Sequence, residues 1–196
     1  MPLSEHLEQF AQWLPPLTQA QLGALEAHLQ LLFVWNQKIN LTAILDLAEA
    51  ARRHIAESLF LAAQLPPGPL TICDLGSGGG FPGIPVGITR PDCQVTLVES
   101  DVRKSVFLRE ASRSLPNVKV VASRFEQVQG RFDCLISRAV NISTILGGPD
   151  CSSAAFLTKE TSGPAAGLFH KWKWRSVSIP WATEGGVLLG EPVSIG

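Results

Sequence analysis

The residues best suited to chemistry lie together in one glycine-rich stretch, residues 74–83, with the sequence Asp-Leu-Gly-Ser-Gly-Gly-Gly-Phe-Pro-Gly. Glycine tolerates a positive φ and lets the backbone approach a ligand closely. Pro82 suits the first turn of a following helix, because its missing N–H would have no partner there. At the carboxyl end of a strand in a parallel sheet, such a loop directs backbone N–H groups at a ligand. The stretch therefore predicts a cofactor-binding loop.

Two cofactor classes fit this loop. Residues 78–83 match G-x-G-x-x-G, the pattern of dinucleotide-binding loops. Asp74 favours S-adenosylmethionine instead, because a carboxylate there would repel a pyrophosphate. Asp74 can hold the loop or face the cation of that cofactor's amino-acid end. Pro82 and the density of glycines are also unusual in a dinucleotide turn. Glu99 ends the next strand-like run, and its carboxylate can accept hydrogen bonds from ribose hydroxyls in either class.

Further candidate residues follow two later strand-like runs. Phe125 and Glu126 come after the third run, where an aromatic ring and a backbone amide would suit an adenine. A core position for Phe125 is the alternative. Arg138 comes after the fourth run, where a polar residue can reach both cofactor and substrate. A surface arginine that closes the strand is the alternative there.

Two segments of different pattern must position these residues. Residues 3–64 are predicted to be helical, because apolar residues recur there at three- and four-residue steps. The proline-rich residues 66–69 end this segment. We therefore place an N-terminal helical cap at 1–66 and the main domain at 67–196, and we expect the two to form one compact unit.

After residue 70, apolar runs alternate with a helical segment, which predicts an α/β fold with a parallel sheet covered on both faces. The predicted strands lie at 70–75, 94–99, 118–121, 132–137 and 154–158, followed by a closing hairpin of 175–179 and 186–189. A helix is predicted from about Asp101 to Ser114, with Ser100 or Asp101 as its cap. The predicted inward face consists of Val102, Val106, Ala111 and Leu115.

The composition is that of a globular chain. Of 196 residues, 45% are apolar and 17% are charged, which is enough material for a core. No apolar run approaches the roughly 20 residues of a membrane span, and residues 1–6 are not followed by a signal-type apolar run. We expect a cytoplasmic protein without a membrane partner. The four cysteines show no Cys-x-x-Cys spacing, so no metal site is expected.

The net charge of −1 gives no overall basic surplus of the kind that nucleic-acid binders often carry. An RNA surface would have to come from local clusters, each of which could equally be a solvated face. These clusters are Arg52, Arg53 and His54; Arg103, Lys104, Arg109 and Arg113; and Lys171, Lys173 and Arg175. In the last cluster, Trp172 and Trp174 could stack on RNA bases, or they could pack within a hairpin.

The absence of two catalytic motifs favours a methyl acceptor that the protein does not need to activate. No Asn/Asp-Pro-Pro-aromatic motif follows the fourth run, and no Pro-Cys pair occurs anywhere. Methylation of exocyclic amines often uses the first motif, and methylation of pyrimidine C5 needs a cysteine. Guanine N7 needs neither, because its lone pair is already nucleophilic and alignment supplies most of the rate.

Several motifs together resemble one family, the bacterial small-subunit (16S) rRNA guanine-N7 methyltransferases, also called RsmG or glucose-inhibited division protein B (GidB). The resemblance covers about residues 20–140. The motifs that carry it are Trp35-Asn36-x-Lys38-x-Asn40-Leu41-Thr42, Arg53-His54, Asp74-x-Gly76-Ser77-Gly78-x-Gly80-x-Pro82-Gly83, Glu99-Ser100-x-x-x-Lys104-x-x-Phe107-Leu108, Ser123-Arg124-x-Glu126, Phe132-Asp133 and Ser137-Arg138-Ala139.

The resemblance implies a Rossmann-like, doubly wound methyltransferase fold with an N-terminal helical cap and a C-terminal β-hairpin. It implies S-adenosylmethionine as methyl donor and 16S rRNA or the small ribosomal subunit as partner. We also expect a monomer. The implied cofactor contacts are Gly76, Ser77, Gly78, Phe81, Glu99, Ser100, Phe125, Glu126 and Arg138, and the implied rRNA side contains Asn40, Arg53 and His54. Arg138 and Lys159 are the candidates for a catalytic role.

The C-terminal region departs from the family pattern. Lys159 only approximates the lysine of a Leu-Lys-Gly motif, and the segment after it looks too short for the helix that usually precedes the last hairpin. Two alternatives therefore stay open. One is an RNA-binding relative that keeps S-adenosylmethionine without turnover, and the other, from the glycine pattern alone, is an NAD-type oxidoreductase.

Overall fold

A seven-stranded sheet forms the centre of the fold, which the computed structural model describes for residues 1–138, 149–159 and 172–193. The strands are β1 (Thr71–Leu75), β2 (Gln94–Glu99), β3 (Val118–Ala122), β4 (Arg131–Arg138), β5 (Asp150–Thr158), β6 (Trp172–Ser178) and β7 (Gly186–Pro192). They lie side by side in the order β3-β2-β1-β4-β5-β7-β6. The predicted fifth strand and closing hairpin are confirmed.

The first five strands are parallel, whereas β7 runs antiparallel to both β5 and β6. In the register of the sheet, Leu75 of β1 lies opposite Val98 of β2 and Ser137 of β4. The carboxyl ends of these three strands therefore meet at one edge of the sheet, which is where open α/β sheets bind their ligands.

Six α-helices accompany the sheet within the described ranges. They are α1 (Leu3–Glu8), α2 (Gln19–Asn36), α3 (Leu47–Ala50), α4 (Glu57–Gln64), α5 (Gly83–Thr89) and α6 (Val102–Ala111); a π-helix (Ala51–Ala56) joins α3 to α4, and short 3₁₀ turns cover Ala11–Trp13 and Phe125–Gln127. A capping box starts α2, in which Thr18 and Gln21 exchange hydrogen bonds. None of these helices is long and apolar enough to cross a membrane.

The orientation of α6 differs from the prediction. Of the two predicted cap residues, Asp101 caps the helix. Ala111 and Leu115 pack against the core as predicted, but Val102 is 70% exposed and Val106 45% exposed, so the assignment of these two valines to the inward face was wrong. Phe107 and Leu108 are buried instead. A phenylalanine and a leucine remove more apolar surface from water than two valines, and the helix is rotated accordingly.

The apolar core has one part on each face of the sheet. Alternate residues of a strand point to opposite faces, so Ile72 belongs to the larger cluster, with the buried residues of the six helices, and Leu75 belongs to the smaller one. Phe156 and Leu188 join Leu75 there. Together with the strand order, this arrangement confirms the predicted α/β fold class.

Trp181, in the turn between β6 and β7, joins the hairpin to the N-terminal helices. Its ring centroid lies 4.7 Å from that of Phe10, 5.6 Å from that of Trp13 and 5.5 Å from that of Phe60. The predicted cap and the predicted main domain are therefore joined by an aromatic contact.

Candidate active site

The glycine loop leaves β1 at the sheet edge and leads into α5. Gly76, Gly78 and Gly80 adopt φ values of 69°, 52° and 88°, which only glycine takes without strain. The N–H groups of Gly76 and Ser77 both donate to the carbonyl of Val98. The start of the loop is therefore fixed to the end of β2.

Asp74 supports the loop from below. Its side chain is fully buried, and Oδ2 accepts the N–H of Gly83 at 3.1 Å. A Cβ on Gly83 would overlap the carboxyl group of Asp74, so a glycine is required at the start of α5. No hydrogen-bond donor among the described residues reaches Oδ1. Burial raises the pKa of Asp74 to about 7.

Glu99, at the end of β2, holds the loop from the side. One carboxylate oxygen accepts the N–H of Gly78 at 2.9 Å, and the other accepts the N–H of Asp101 at 2.8 Å. Each oxygen keeps a lone pair for a further donor. The carboxylate therefore connects the glycine loop to the N-terminus of α6 and can still receive hydroxyl groups.

His28 of α2 supports the loop from the cap. It is 3% exposed, and its Nε2 lies 2.9 Å from the carbonyl oxygen of Gly79. Because that oxygen can only accept, Nε2 carries the proton. Burial lowers the pKa of His28 to about 4, so the imidazole is neutral near pH 7.

Phe81 lies between two imidazole rings. Its centroid is 4.7 Å from that of His28 and 4.5 Å from that of His54, and both pairs are stacked. Phe81 is also buried. The phenyl ring is therefore fixed by two stacking contacts with the cap.

A second loop, residues 37–42, lies against the glycine loop. The Asn36 side chain closes it by accepting the N–H groups of Leu41 and Thr42 and by donating to the carbonyl of Thr42. A Cβ on Gly79 would lie 3.5 Å from the carbonyl oxygen of Leu41, so the two loops are in near contact. Asn40, the predicted rRNA-side residue, is exposed on this loop.

Arg138, at the end of β4, reaches across to the π-helix. Its Nη1 donates to the carbonyl of Arg53 at 2.6 Å and to Nδ1 of His54 at 3.2 Å, and its Nη2 pairs with Glu57 at 3.0 Å. Arg138 and Glu57 are 16% and 12% exposed. Burial raises the pKa of Glu57, although Arg138 acts in the opposite direction.

The other candidates lie around the same edge of the sheet. Phe125 and Glu126 follow β3, with Phe125 packed against the smaller core cluster and Glu126 exposed. Ser100 is exposed between β2 and α6, and Lys159 is exposed directly after β5. Their predicted roles remain predictions. No group of three or more metal-ligating side chains occurs in the ranges that the structure describes.

A sequence model of one family, described as rRNA small subunit methyltransferase G (GidB), matches residues 21–146. The chain belongs to this family. The resemblance inferred from the motifs is thereby confirmed.

Two curated relatives, both named ribosomal RNA small subunit methyltransferase G, illustrate the similarity. The protein from Dichelobacter nodosus is 48% identical over 130 residues, which cover 64% of this chain and 61% of the relative. The protein from Chromobacterium violaceum is 43% identical over 140 residues, which cover 69% of this chain and 66% of the relative. The matched region thus spans less than two thirds of the length of either relative.

A solved methyltransferase from Pyrococcus furiosus has the same fold as this GidB family member. The two superpose with a TM-score of 0.57 over 85% of this chain and 97% of the other, at 13% identity. At this identity the similarity concerns the fold alone, and it confirms the predicted Rossmann-like methyltransferase architecture.

Two residues of this GidB family member escaped the sequence analysis, His28 and Glu57. His28 lies on an apolar helix face, and Glu57 lies in an amphipathic segment, where a charged residue is ordinary. Their partners, Gly79 and Arg138, are 51 and 81 positions away in the chain. Only the folded chain shows these contacts.

The predicted aromatic–basic cluster does not form one continuous surface. Along β6, side chains alternate between the two faces of the sheet. Trp172 and Trp174 therefore lie on one face, and Lys173 and Arg175 lie on the other. The indole rings stack on each other with centroids 5.7 Å apart, and Trp174 also stacks on Phe156. This geometry favours hairpin packing over a base-stacking platform. Lys171 lies outside the described residues.

Proposed function

We propose that this protein transfers a methyl group from S-adenosylmethionine to N7 of a guanine in 16S rRNA. Family membership supports the reaction class. The observation that carries the proposal is the glycine loop, which Asp74, Glu99 and His28 hold at the carboxyl edge of the sheet. We also propose a cytoplasmic enzyme, because its substrate would be rRNA or the small ribosomal subunit, and we keep the expectation of a monomer.

The loop fits S-adenosylmethionine better than a dinucleotide. Asp74 adds a buried carboxyl group with an unpartnered oxygen beneath the loop, and Glu99 adds a second carboxylate at its side. The carboxyl group of Asp74 favours a cofactor with a cationic amino-acid end and opposes a pyrophosphate, whereas Glu99 can accept the ribose hydroxyls of either cofactor class. We propose that the cofactor is held by Gly76, Ser77, Gly78, Phe81, Glu99, Ser100, Phe125, Glu126 and Arg138.

When bound, S-adenosylmethionine supplies a methyl group on a positively charged sulfur, which a lone pair can attack without prior deprotonation. The described residues of the site are consistent with a reaction that needs no general base. His54 faces Arg138 through Nδ1 and Thr42 through Nε2, and its pKa is lowered to about 3 by burial and by the charge of Arg138. His54 is therefore unsuited to act as a general base, and the residues of the site serve to bind and orient the reactants.

The substrate side is proposed to include the exposed Asn40, together with Arg53 and His54 of the π-helix. The side chains of Arg53 and Arg52 are 38% and 35% exposed, and both pair with Glu49, Arg53 at 3.9 Å and Arg52 at 2.6 Å. Arg53 is thus the more available cation for a phosphate. Irregular helical turns of this kind are frequent at functional sites.

Labelling with tritiated S-adenosylmethionine tests the proposal. Small ribosomal subunits from a strain that lacks N7 methylation should acquire label in 16S rRNA, and borohydride–aniline treatment should then cleave the RNA at 7-methylguanosine. The variant Gly76→Val is the blank. Label found only in protein or in a small molecule would refute the proposed activity.

Binding measurements separate the two alternatives. Tight binding of S-adenosylhomocysteine without labelling of any RNA would favour a relative without turnover. A thermal shift with NAD that exceeds the shift with S-adenosylhomocysteine would favour an oxidoreductase. We expect neither outcome for a member of this family.

A further inference from the structure

Four side chains form a continuous chain of hydrogen bonds from α4, through the end of β4 and the π-helix, to the loop 37–42. Glu57 pairs with Nη2 of Arg138 at 3.0 Å, and Nη1 of Arg138 lies 3.2 Å from Nδ1 of His54. Nε2 of His54 then lies 2.8 Å from the hydroxyl of Thr42. The chain begins at a carboxylate that faces the end of the sheet and finishes in the loop that carries Asn40.

The geometry of this chain determines where the proton of His54 resides. An arginine stays charged in proteins and has only donors, so Nδ1 of His54 must accept from Arg138. The proton of the neutral imidazole is therefore on Nε2, where it donates to the hydroxyl oxygen of Thr42. That oxygen also accepts the N–H of Ile44 at 3.0 Å. The hydroxyl of Thr42 therefore links the end of the loop to His54 and to the backbone of Ile44.

Glu57 is the group that orients Arg138. It is the only carboxylate paired with Arg138 in the part of the chain that the structure describes. The carbonyl of Arg53 accepts from the same guanidinium at 2.6 Å. A planar guanidinium with fixed acceptors on Nη1 and Nη2 cannot turn without breaking one of these contacts. Loss of the Glu57 charge would free Arg138 to turn away from His54.

We propose that Glu57 is a positioning residue of this site. By holding Arg138, it keeps His54 as the Nε2–H tautomer, and through Thr42 it keeps the loop 37–42 in the position that presents Asn40 beside the glycine loop. The effect on RNA rests on the proposed function, whereas the effect on His54 does not. Glu57 itself need not touch either reactant.

The test compares Glu57→Gln with two matched variants of the full chain. Glu57→Asp keeps the charge on a shorter side chain. Glu49→Gln removes a carboxylate from the same helical segment, where Glu49 pairs with Arg52 and with Arg53 and is 37% exposed. It is the control for the tautomer of His54 and not for KM. Two-bond ¹H–¹⁵N spectra of the imidazoles report the tautomer of His54, calorimetry reports affinity for S-adenosylhomocysteine, and methylation kinetics report KM for small ribosomal subunits and kcat.

We expect a single Nε2–H tautomer for His54 in the unaltered protein and in Glu49→Gln, and a mixture of tautomers in Glu57→Gln. In Glu57→Gln, KM for small subunits should rise about tenfold or more, as expected for a lost hydrogen bond to a charged group. Affinity for S-adenosylhomocysteine should fall as well, but by a smaller factor, because Arg138 is one of several proposed cofactor contacts. Glu57→Asp should restore the single tautomer and bring KM for small subunits close to that of the unaltered protein.

Several results would overturn the proposal. An Nδ1–H signal for His54 in the unaltered protein would do so without any variant, and this measurement remains available if Glu57→Gln does not fold. Unchanged KM and an unchanged tautomer in a folded Glu57→Gln would also overturn it. If the unaltered protein methylates no RNA but the tautomer behaves as stated, the proposed function fails while the role of Glu57 stands.

Discussion

The imidazole of His54 lies flat on the phenyl ring of Phe81, with 4.5 Å between the centroids and 10° between the planes. His28 also stacks on this ring, with 4.7 Å between the centroids. His28 and His54 come from two different helices of the cap, whereas Phe81 belongs to the glycine loop. The stack therefore fastens the proposed cofactor loop to the part of the chain that carries the proposed RNA-side residues.

Replacement of Phe81 tests whether this stack matters for the cofactor. Phe81→Leu removes both ring contacts and should lower the free energy of unfolding by about 1–2 kcal/mol. Because the loop then loses its support, affinity for S-adenosylhomocysteine should fall about tenfold. Calorimetry and urea unfolding measure the two effects.

Phe132→Leu is the control for Phe81→Leu, since Phe132 is buried in the smaller core cluster on the other face of the sheet. It should destabilise the protein to a similar extent and leave cofactor affinity unchanged. Equal losses of affinity in both variants would show that the effect comes from general destabilisation.

Gly76 tests the position of the cofactor itself. The residue is exposed at the start of the loop with φ near 69°. Gly76→Ala places a methyl group where the proposed ligand meets the backbone, so affinity for S-adenosylhomocysteine should fall at least about tenfold. Gly68→Ala carries the same change at φ 87° in open space outside the loop and should bind normally. Unchanged affinity in Gly76→Ala would count against the placement of the cofactor.

Gly80 tests close packing inside the loop. A Cβ on Gly80 would lie 2.6 Å from Cδ1 of Ile84 and 3.0 Å from Nε2 of His28. Gly80→Ala should therefore destabilise the protein by about 2 kcal/mol more than Gly68→Ala, whose φ is nearly the same but whose Cβ meets nothing. Urea unfolding of both variants gives the difference, and equal losses would mean that backbone strain alone is responsible.

The sequence was informative where local chemistry decides the structure. The loop 74–83 carries its signal in its own residues, since turns with positive φ need glycine. The parallel strands were predicted equally well, because buried strands are continuous apolar runs. The prediction for the buried face of α6 was wrong at Val102. Both Val102 and Phe107 are apolar, and only packing against the sheet decides which of them is buried.

The supports of the loop could not be predicted from the sequence, because each depends on a distant partner. His28 looks like any polar residue in an apolar helix until the fold brings Gly79 to its Nε2. Glu57 likewise looks like an ordinary charged helix residue until the fold brings Arg138 of β4 into contact with it. Contacts between residues so far apart follow from the tertiary arrangement, which local patterns do not encode.

The buried titratable groups predict how stability depends on pH. His28 and His54 have folded-state pKa values lowered to about 4 and about 3, below their ordinary value of 6.5. Their unfolded forms therefore bind protons first as the pH falls, and stability is lost from about pH 6.5 downward. Asp74, with its pKa raised to about 7, acts in the opposite direction between about pH 7 and pH 4. Two histidines outweigh one aspartate, so the protein should become less stable between pH 6.5 and pH 4.

Single substitutions separate these contributions. His28→Gln should remove roughly 3 kcal/mol of the loss between pH 6.5 and pH 4, which corresponds to its full pKa shift. Asp74→Asn should make the loss larger, because it removes the group that opposes it. His6→Gln, on the partly exposed α1 position, controls for removal of a histidine outside the site. Urea unfolding at several pH values measures all four proteins. A pH dependence in His28→Gln that matches the unaltered protein would show that His28 is not a buried neutral imidazole.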